Sequence, residues 1–215
     1  MIMRVTRKKE RFSTYSHIFG LILAVIGCIF LFVLNGNNIP YLVVIVIYSI
    51  CICYMFSASI LYHASKKTEK DQTFWRKFDH IAIFYMIAGS YTIISFIYID
   101  GVFKWIIIAL QWTFAILGTI LKSLTLKIPI WLDVGIYLVM GWMIAIRFDY
   151  VLVNVSLKIF LLILFGGLAY TIGAILHAIN KPFPLPKRFE FHDIFHILII
   201  VGAGLHYLAI LFAFI

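Results

Sequence analysis

Residues 40–62 read PYLVVIVIYSICICYMFSASILY and contain no Asp, Glu, Lys or Arg. From Tyr41 to Ser49 the run is apolar on every side, with neither the alternation of a half-buried strand nor the polar stripe of a soluble helix. A helix of about 20 such residues is long enough to cross the hydrocarbon core of a bilayer. A membrane strand would instead read as about ten residues alternating apolar and polar, so a spanning helix is the reading. The run is bounded by Asn37 and Asn38 on one side and by His63, Lys66 and Lys67 on the other.

Working outward, six more mostly apolar runs stand at 17–34, 80–99, 103–121, 128–146, 156–176 and 192–215, again bounded by charge or turn residues. Ile159 to Gly166 repeats the all-round apolar pattern. With 64% hydrophobic residues, 13% charged residues and a mean hydropathy of +1.05, the chain lies far from the composition of a soluble domain. The expected fold is all-α: a polytopic, multi-pass cell-membrane protein built as one seven-transmembrane helix bundle with short connections. No pair of interrupted apolar segments marks an inverted-repeat transporter.

Fifteen of the 18 Lys and Arg residues fall on one side of these spans. They are Arg4, Arg7, Lys8, Lys9 and Arg11; Lys66, Lys67, Lys70, Arg76 and Lys77; Lys122 and Lys127; and Lys181, Lys187 and Arg188. Only Lys104, Arg147 and Lys158 fall on the other. The positive-inside rule then puts the amino terminus in the cytoplasm and the carboxyl terminus outside. Residues 1–16 read as a basic cytoplasmic tail and 17–215 as the seven-span domain. The +9 formal charge is spread over juxtamembrane loops rather than gathered on a nucleic-acid fold, so the expected partners are anionic membrane lipids, with no nucleic acid. A secretory signal in the first 34 residues is disfavoured, because no small-x-small cleavage site follows the run.

Three segments have local character of their own. Cys28, Cys51 and Cys53 all lie within spans, which argues against a secreted disulfide framework, and Cys51 lies too far from His63 to share a metal. The Pro-rich stretch 181–188 is expected to be extended and stiff, delivering the chain to Glu190 at the positive end of the last helix. Ala169 and Gly173 have the small-x-x-x-small spacing that lets span six approach a neighbour.

Six of the seven histidines lie where an apolar run meets a basic stretch. Ser59-x-x-x-His63, Asp79 and His192-x-x-x-His196 form a metal-ligand pattern there. Residues four apart share a helix face, so His192 and His196 project together, as do Ser59 and His63. Span two ends, span three begins and span seven begins at the same membrane depth, which brings these chain-distant groups into one layer. Three imidazoles with an open fourth position is the coordination of catalytic rather than structural zinc, whose bound water has a pKa of about 7. Asp79 is placed to hold that water and take its proton, and Ser59 to hydrogen-bond the water or a carbonyl oxygen gaining negative charge.

The remaining polar groups are read more plainly. His17 and His177 are expected to be interfacial hydrogen bonders, His80 to point away from Asp79, and His206 to be a buried hydrogen bonder too deep for the same ion. Asp133, inside span five, is expected to pair structurally, for instance with Lys127, or to line the site's entrance. The five tryptophans fit interfacial belts and core packing.

Ser59-Ile-Leu-Tyr-His63, Asp79-His80, Met140-Gly-Trp142 and His192-Asp-Ile-Phe-His196, in this order across seven spans, resemble the hemolysin III branch of the progestin and adipoQ receptor family. The resemblance covers nearly the whole chain. It implies zinc ligands at His63, His192 and His196, with Asp79 contacting the metal through water. An acidic residue and an asparagine usually precede the histidine matching His17; here Glu10 is present and Ser13 stands where asparagine is expected. The wider superfamily includes alkaline ceramidases. This implies a zinc-dependent hydrolase of lipid amide or ester bonds, with zinc-bound hydroxide as nucleophile. The alternative is a non-enzymatic regulator of membrane homeostasis or a cytolytic pore, with zinc clamping spans two and seven. The short termini favour the bacterial branch and its plasma membrane.

Overall fold

The computed structural model describes residues 10–35, 37–68, 74–125, 127–179 and 190–215. Every element among the described residues is a helix, without strands, and seven helical stretches there are long and apolar enough to cross a membrane. In chain order they are α1 (Arg11–Asn35), α2 (Ile39–Ser65), α3 (Phe74–Tyr98), α4 (Val102–Leu124), a broken fifth span, α7 (Leu157–Ile179) and α8 (Phe191–Leu211). The fifth span consists of α5 (Ile130–Gly141), a 3-10 turn (Met143–Arg147) and α6 (Phe148–Asn154). The protein is a multi-pass membrane bundle.

Local signals in the sequence account for several helix ends. The Asn38 side chain accepts from the Tyr41 amide at the start of α2, with Pro40 in the first turn, where a missing N–H costs nothing. Gly101 opens α4 at φ +66°, a conformation that glycine adopts without strain. At the start of α8, Glu190 and Asp193 form a reciprocal capping box, with the Glu190 amide donating to Asp193 Oδ2 at 2.9 Å. The carboxylate expected at this helix start is therefore in place, while the Pro-rich stretch before it lies outside the described residues.

The helices extend beyond the apolar runs that announce them. α1 begins at Arg11 rather than 17, and Ser13, Thr14 and His17 on its first turns are buried. α4 runs on to Leu124, which takes Lys122 into its last turn, 0% exposed, rather than into a loop. A charge ends an apolar run in the sequence, but the backbone hydrogen bonds of a helix need not stop there.

α3 is the most buried of the seven spans and packs on α2, α4, α5 and α8; α1 closes the bundle between α2 and α8. Two glycines allow α1 to come close. A Cβ on Gly20 would lie 2.5 Å from the Phe56 ring, and one on Gly27 would lie 2.8 Å from Tyr207. Seven residues apart, they share the stripe of α1 that also buries Ala24 and Leu31. α7 lies along α8 as its small-residue spacing suggests: Gly173 faces Leu198 and Phe195, and Gly166 faces the His206 ring.

The break in span five is the Met140-Gly-Trp142 segment itself. Backbone groups freed at a break inside a membrane need partners from neighbouring helices, and they have them here. Gln111 Nε2 donates to the Met140 carbonyl at 2.8 Å; the Tyr91 hydroxyl donates to the Gly141 carbonyl at 2.6 Å and accepts from the Ile144 amide at 3.1 Å. Trp142 Nε1 donates to Thr171 Oγ1 at 2.9 Å, which ties the break to α7. The sequence pattern gives one continuous span at 128–146; in the structure that span is broken here and runs on to Asn154.

Candidate metal centre

His63 lies in the last turn of α2, and His192 and His196 in the first two turns of α8. The packing of the bundle brings those ends together. One ring nitrogen from each of the three can be chosen so that all lie within 4.8 Å of one another. His63 and His196 are each 1% exposed and His192 is half-buried.

Each of the three rings is also held from behind. His63 Nδ1 lies 2.7 Å from Glu10 Oε2, His196 Nδ1 lies 2.6 Å from His17 Nε2, and His192 Nδ1 lies 3.3 Å from His177 Nδ1. Glu10 is held by α2 a second time through Lys66 Nζ, 3.0 Å from Oε1. Burial by itself would raise the Glu10 carboxyl, but hydrogen bonding and charge from His63 and Lys66 outweigh it and hold its pKa down at about 2. A carboxylate only accepts, so His63 donates from Nδ1, and when the ring is neutral Nε2 keeps its lone pair on the side of the cluster. His196 and His192 present Nε2 in the same way when their Nδ1 protons go to His17 and His177.

In that arrangement His192 Nε2 and His196 Nε2 stand 3.0 Å apart as two lone pairs. Such a contact is repulsive unless a proton or a metal ion lies between them. Neutral imidazoles held by outer hydrogen bonds are the usual donors of a metal site, and the residues present fit a divalent ion. Among the described residues the group contains three histidines and no fourth Cys, Asp, Glu or His ligand.

The three rings open on a cavity of about 440 Å³ that runs into the bundle between α3, α5, α7 and α8. Its walls are mainly apolar, with Ser59, Arg76, Asp79, His80 and Asp133 among the polar points. Asp79 lies outside the three-histidine group, its carboxyl beside the Ser59 hydroxyl and near the His63 ring. Ser59 is buried one turn below His63 on α2.

The other polar residues divide into those that behaved as expected and those that did not. His206 is a buried hydrogen bonder, with Nε2 3.1 Å from the Ile163 carbonyl. The three cysteines are free thiols, and Cys51 packs against Gly89. His80 was expected to point away from the Asp79 side but lines the same cavity, because the cavity is wide enough to reach both faces at the start of α3. Asp133 pairs with Lys122 instead of Lys127, since the extended α4 carries Lys122 inward to meet the first turn of α5. His17, His177 and Glu10 hold the cluster from outside. Spacing alone does not find His177, because the helices must first be packed, whereas Glu10 and His17 are signalled by the resemblance, which sets an acidic residue ahead of that histidine.

Comparison with known proteins gives the same picture at the scale of the chain. Residues 5–207 match the family profile described as Haemolysin-III related. The chain is 28% identical over 207 residues to a protein named Hemolysin-3 from Bacillus cereus, covering 95% of this chain and 91% of that one. It is 28% identical over 210 residues to a Hemolysin-3 homolog from Bacillus subtilis (strain 168), covering 96% and 95%.

Proposed function

The chain belongs to the haemolysin-III-related family, and from that premise we propose that it binds zinc through His63, His192 and His196 and hydrolyses amide or ester bonds of membrane lipids. The observation that carries this reading is a three-imidazole group with no fourth side-chain ligand among the described residues, open to a largely apolar cavity. A structural zinc site is normally closed by four protein ligands, whereas a catalytic one keeps a position for water or substrate. Imidazole is a borderline-soft donor that suits zinc better than magnesium or calcium.

When bound, the ion supplies Lewis acidity and brings the pKa of a coordinated water to about 7. The rest falls to the chain. Asp79, beside the group but outside it, takes the proton that water loses as it attacks the carbonyl carbon, and returns it to the leaving amine or alkoxide. Once Asp79 holds the proton and no longer needs the Ser59 donor, the Ser59 hydroxyl turns to donate to the carbonyl oxygen as that oxygen gains charge. The apolar walls receive the lipid's hydrocarbon portion and keep bulk water from the reacting carbon. On this reading the amino terminus is cytoplasmic, the site faces the inner leaflet, and the basic loops rest on anionic headgroups.

A second reading has its own support. The three histidines tie the end of α2 to the start of α8, as a structural clamp would, and both relatives carry the name hemolysin. Here the protein is a non-enzymatic regulator of the membrane or a cytolytic pore-former, with a zinc that only holds helices together. The test is elemental analysis of detergent-purified wild type beside His196→Ala, followed by release of fatty acid from lipid amides and esters. About one zinc per chain, lost in the variant, with release that Asp79→Ala abolishes, supports the hydrolase. Zinc without release at any pH supports the clamp, and a wild type without zinc rejects both.

A further inference from the structure

The start of α1, from Glu10 just before the helix to His17 in its second turn, is more than the entry of a helix into the membrane. It supplies the outer hydrogen-bond partner of two of the three clustered imidazoles. Glu10 Oε2 is 2.7 Å from His63 Nδ1, and His17 Nε2 is 2.6 Å from His196 Nδ1. The two contacts reach opposite sides of the cluster, one ring on α2 and one on α8, from a single helical face.

That face is held in register by close packing. Gly20 sits under the Phe56 ring, and His17 meets the same ring edge-on with centroids 5.3 Å apart. The Tyr207 hydroxyl donates to the Gly27 carbonyl at 3.1 Å, which fixes α1 to α8 further along. At the start, Thr14 Oγ1 donates to the Glu10 carbonyl at 2.8 Å, and Lys66 at the end of α2 grips the second carboxylate oxygen. A side chain placed by chance at the membrane surface would not be buried as Glu10 is, 5% exposed and held through both oxygens.

We propose that Glu10 and His17 are positioning residues of the metal site, fixing His63 and His196 with Nε2 toward the ion, so that metal is held tightly only while the amino-terminal turns of α1 are seated on α2 and α8. The proposal rests on the reading that the three histidines bind a divalent metal. It takes that reading further by making the start of α1 a part of the site and the point from which occupancy is controlled. A carboxylate behind His63 makes the ring a better donor and fixes its tautomer; His17 accepts the Nδ1 proton that His196 must carry when Nε2 binds metal. Loss of such an outer partner typically weakens metal affinity about 10–100-fold.

The test uses the full chain in detergent, with zinc affinity measured by chelator competition and the visible absorption of the cobalt(II)-loaded protein as an independent readout. Glu10→Ala and His17→Ala are expected to weaken zinc about 10–100-fold. Glu10→Gln keeps the size and an acceptor oxygen but not the charge, so it is expected to fall between Glu10→Ala and wild type and to shift the cobalt bands. Should Glu10→Ala fail to fold, Glu10→Gln decides the matter. Affinities and cobalt spectra equal to wild type in Glu10→Gln and His17→Ala would overturn the proposal while leaving the metal reading intact. A wild-type protein that binds neither zinc nor cobalt would overturn both, and is told apart by that result alone.

Discussion

Lys122 and Asp133 meet between α4 and α5, while His63, His192 and His196 meet between α2 and α8, and both Asp133 and the histidines border the same cavity. In the first cluster the chain itself supplies anion and cation, so the buried charge is balanced as soon as the two helices pack. In the second, three imidazoles turn toward one point, and on the metal-binding reading proposed above what balances their lone pairs comes from outside the chain. The two clusters therefore differ in what their stability depends on. On that reading one is a property of the sequence alone, and the other follows the metal content of the solution.

The largest effect that would expose this difference comes from splitting the ion pair. Asp133→Leu leaves the buried ammonium of Lys122 alone and is expected to cost about 3–5 kcal/mol, read as a lower Tm in detergent. The double variant Lys122→Met with Asp133→Leu is expected to recover most of it; a double variant as unstable as the single would mean that the pair does more than neutralise itself. Chelation comes next. With free zinc at about 100 times its Kd, the ion contributes about 2.7 kcal/mol, so EDTA should lower Tm in wild type and in the double variant alike, and zinc should restore it. An EDTA effect present in wild type but absent from the double variant would show that the clusters are not independent.

Smaller changes sharpen the boundary between the two. Gly20→Ala drives a Cβ toward the Phe56 ring and is expected to cost about 1–3 kcal/mol, with a weaker metal site and an untouched ion pair. Tyr137 sits between the clusters: its hydroxyl donates to the His80 carbonyl at 3.2 Å and lies within electrostatic reach of both Asp133 and Asp79. Tyr137→Phe is expected to cost only about 0.5–1.5 kcal/mol in thermal unfolding and to leave zinc affinity unchanged. A tenfold change in affinity would instead make Tyr137 a link in one continuous network.

Much of the fold was legible because a bilayer imposes a length and a polarity on every span, and residues 40–62 satisfy both without any tertiary information. The convergence of His63, His192 and His196 was legible for the same reason: helix ends at one depth need only the bundle to close. What the sequence hid was rotation and continuation. Nothing in Arg11, Phe12 and Ser13 announces a helix already under way, and Lys122 reads as a loop cation until α4 is seen to run past it. His17 and His177 differ from any other interfacial histidine only in which way their helices are turned. The break at Met140-Gly-Trp142 lacks the proline that usually marks one, and is stabilised by Tyr91 and Gln111 from other spans.

The hydrogen bond between His17 and His196 joins residues 179 positions apart. At roughly 5–20 residues per second, a ribosome needs about 10–35 s to make the chain between them. Glu10, His17 and His63 are thus in the bilayer as a half-built wall long before α8 is threaded in to finish it. The order of synthesis makes the last helix the step that completes the pocket, so a nascent chain arrested before residue 191 carries only one of the three clustered imidazoles.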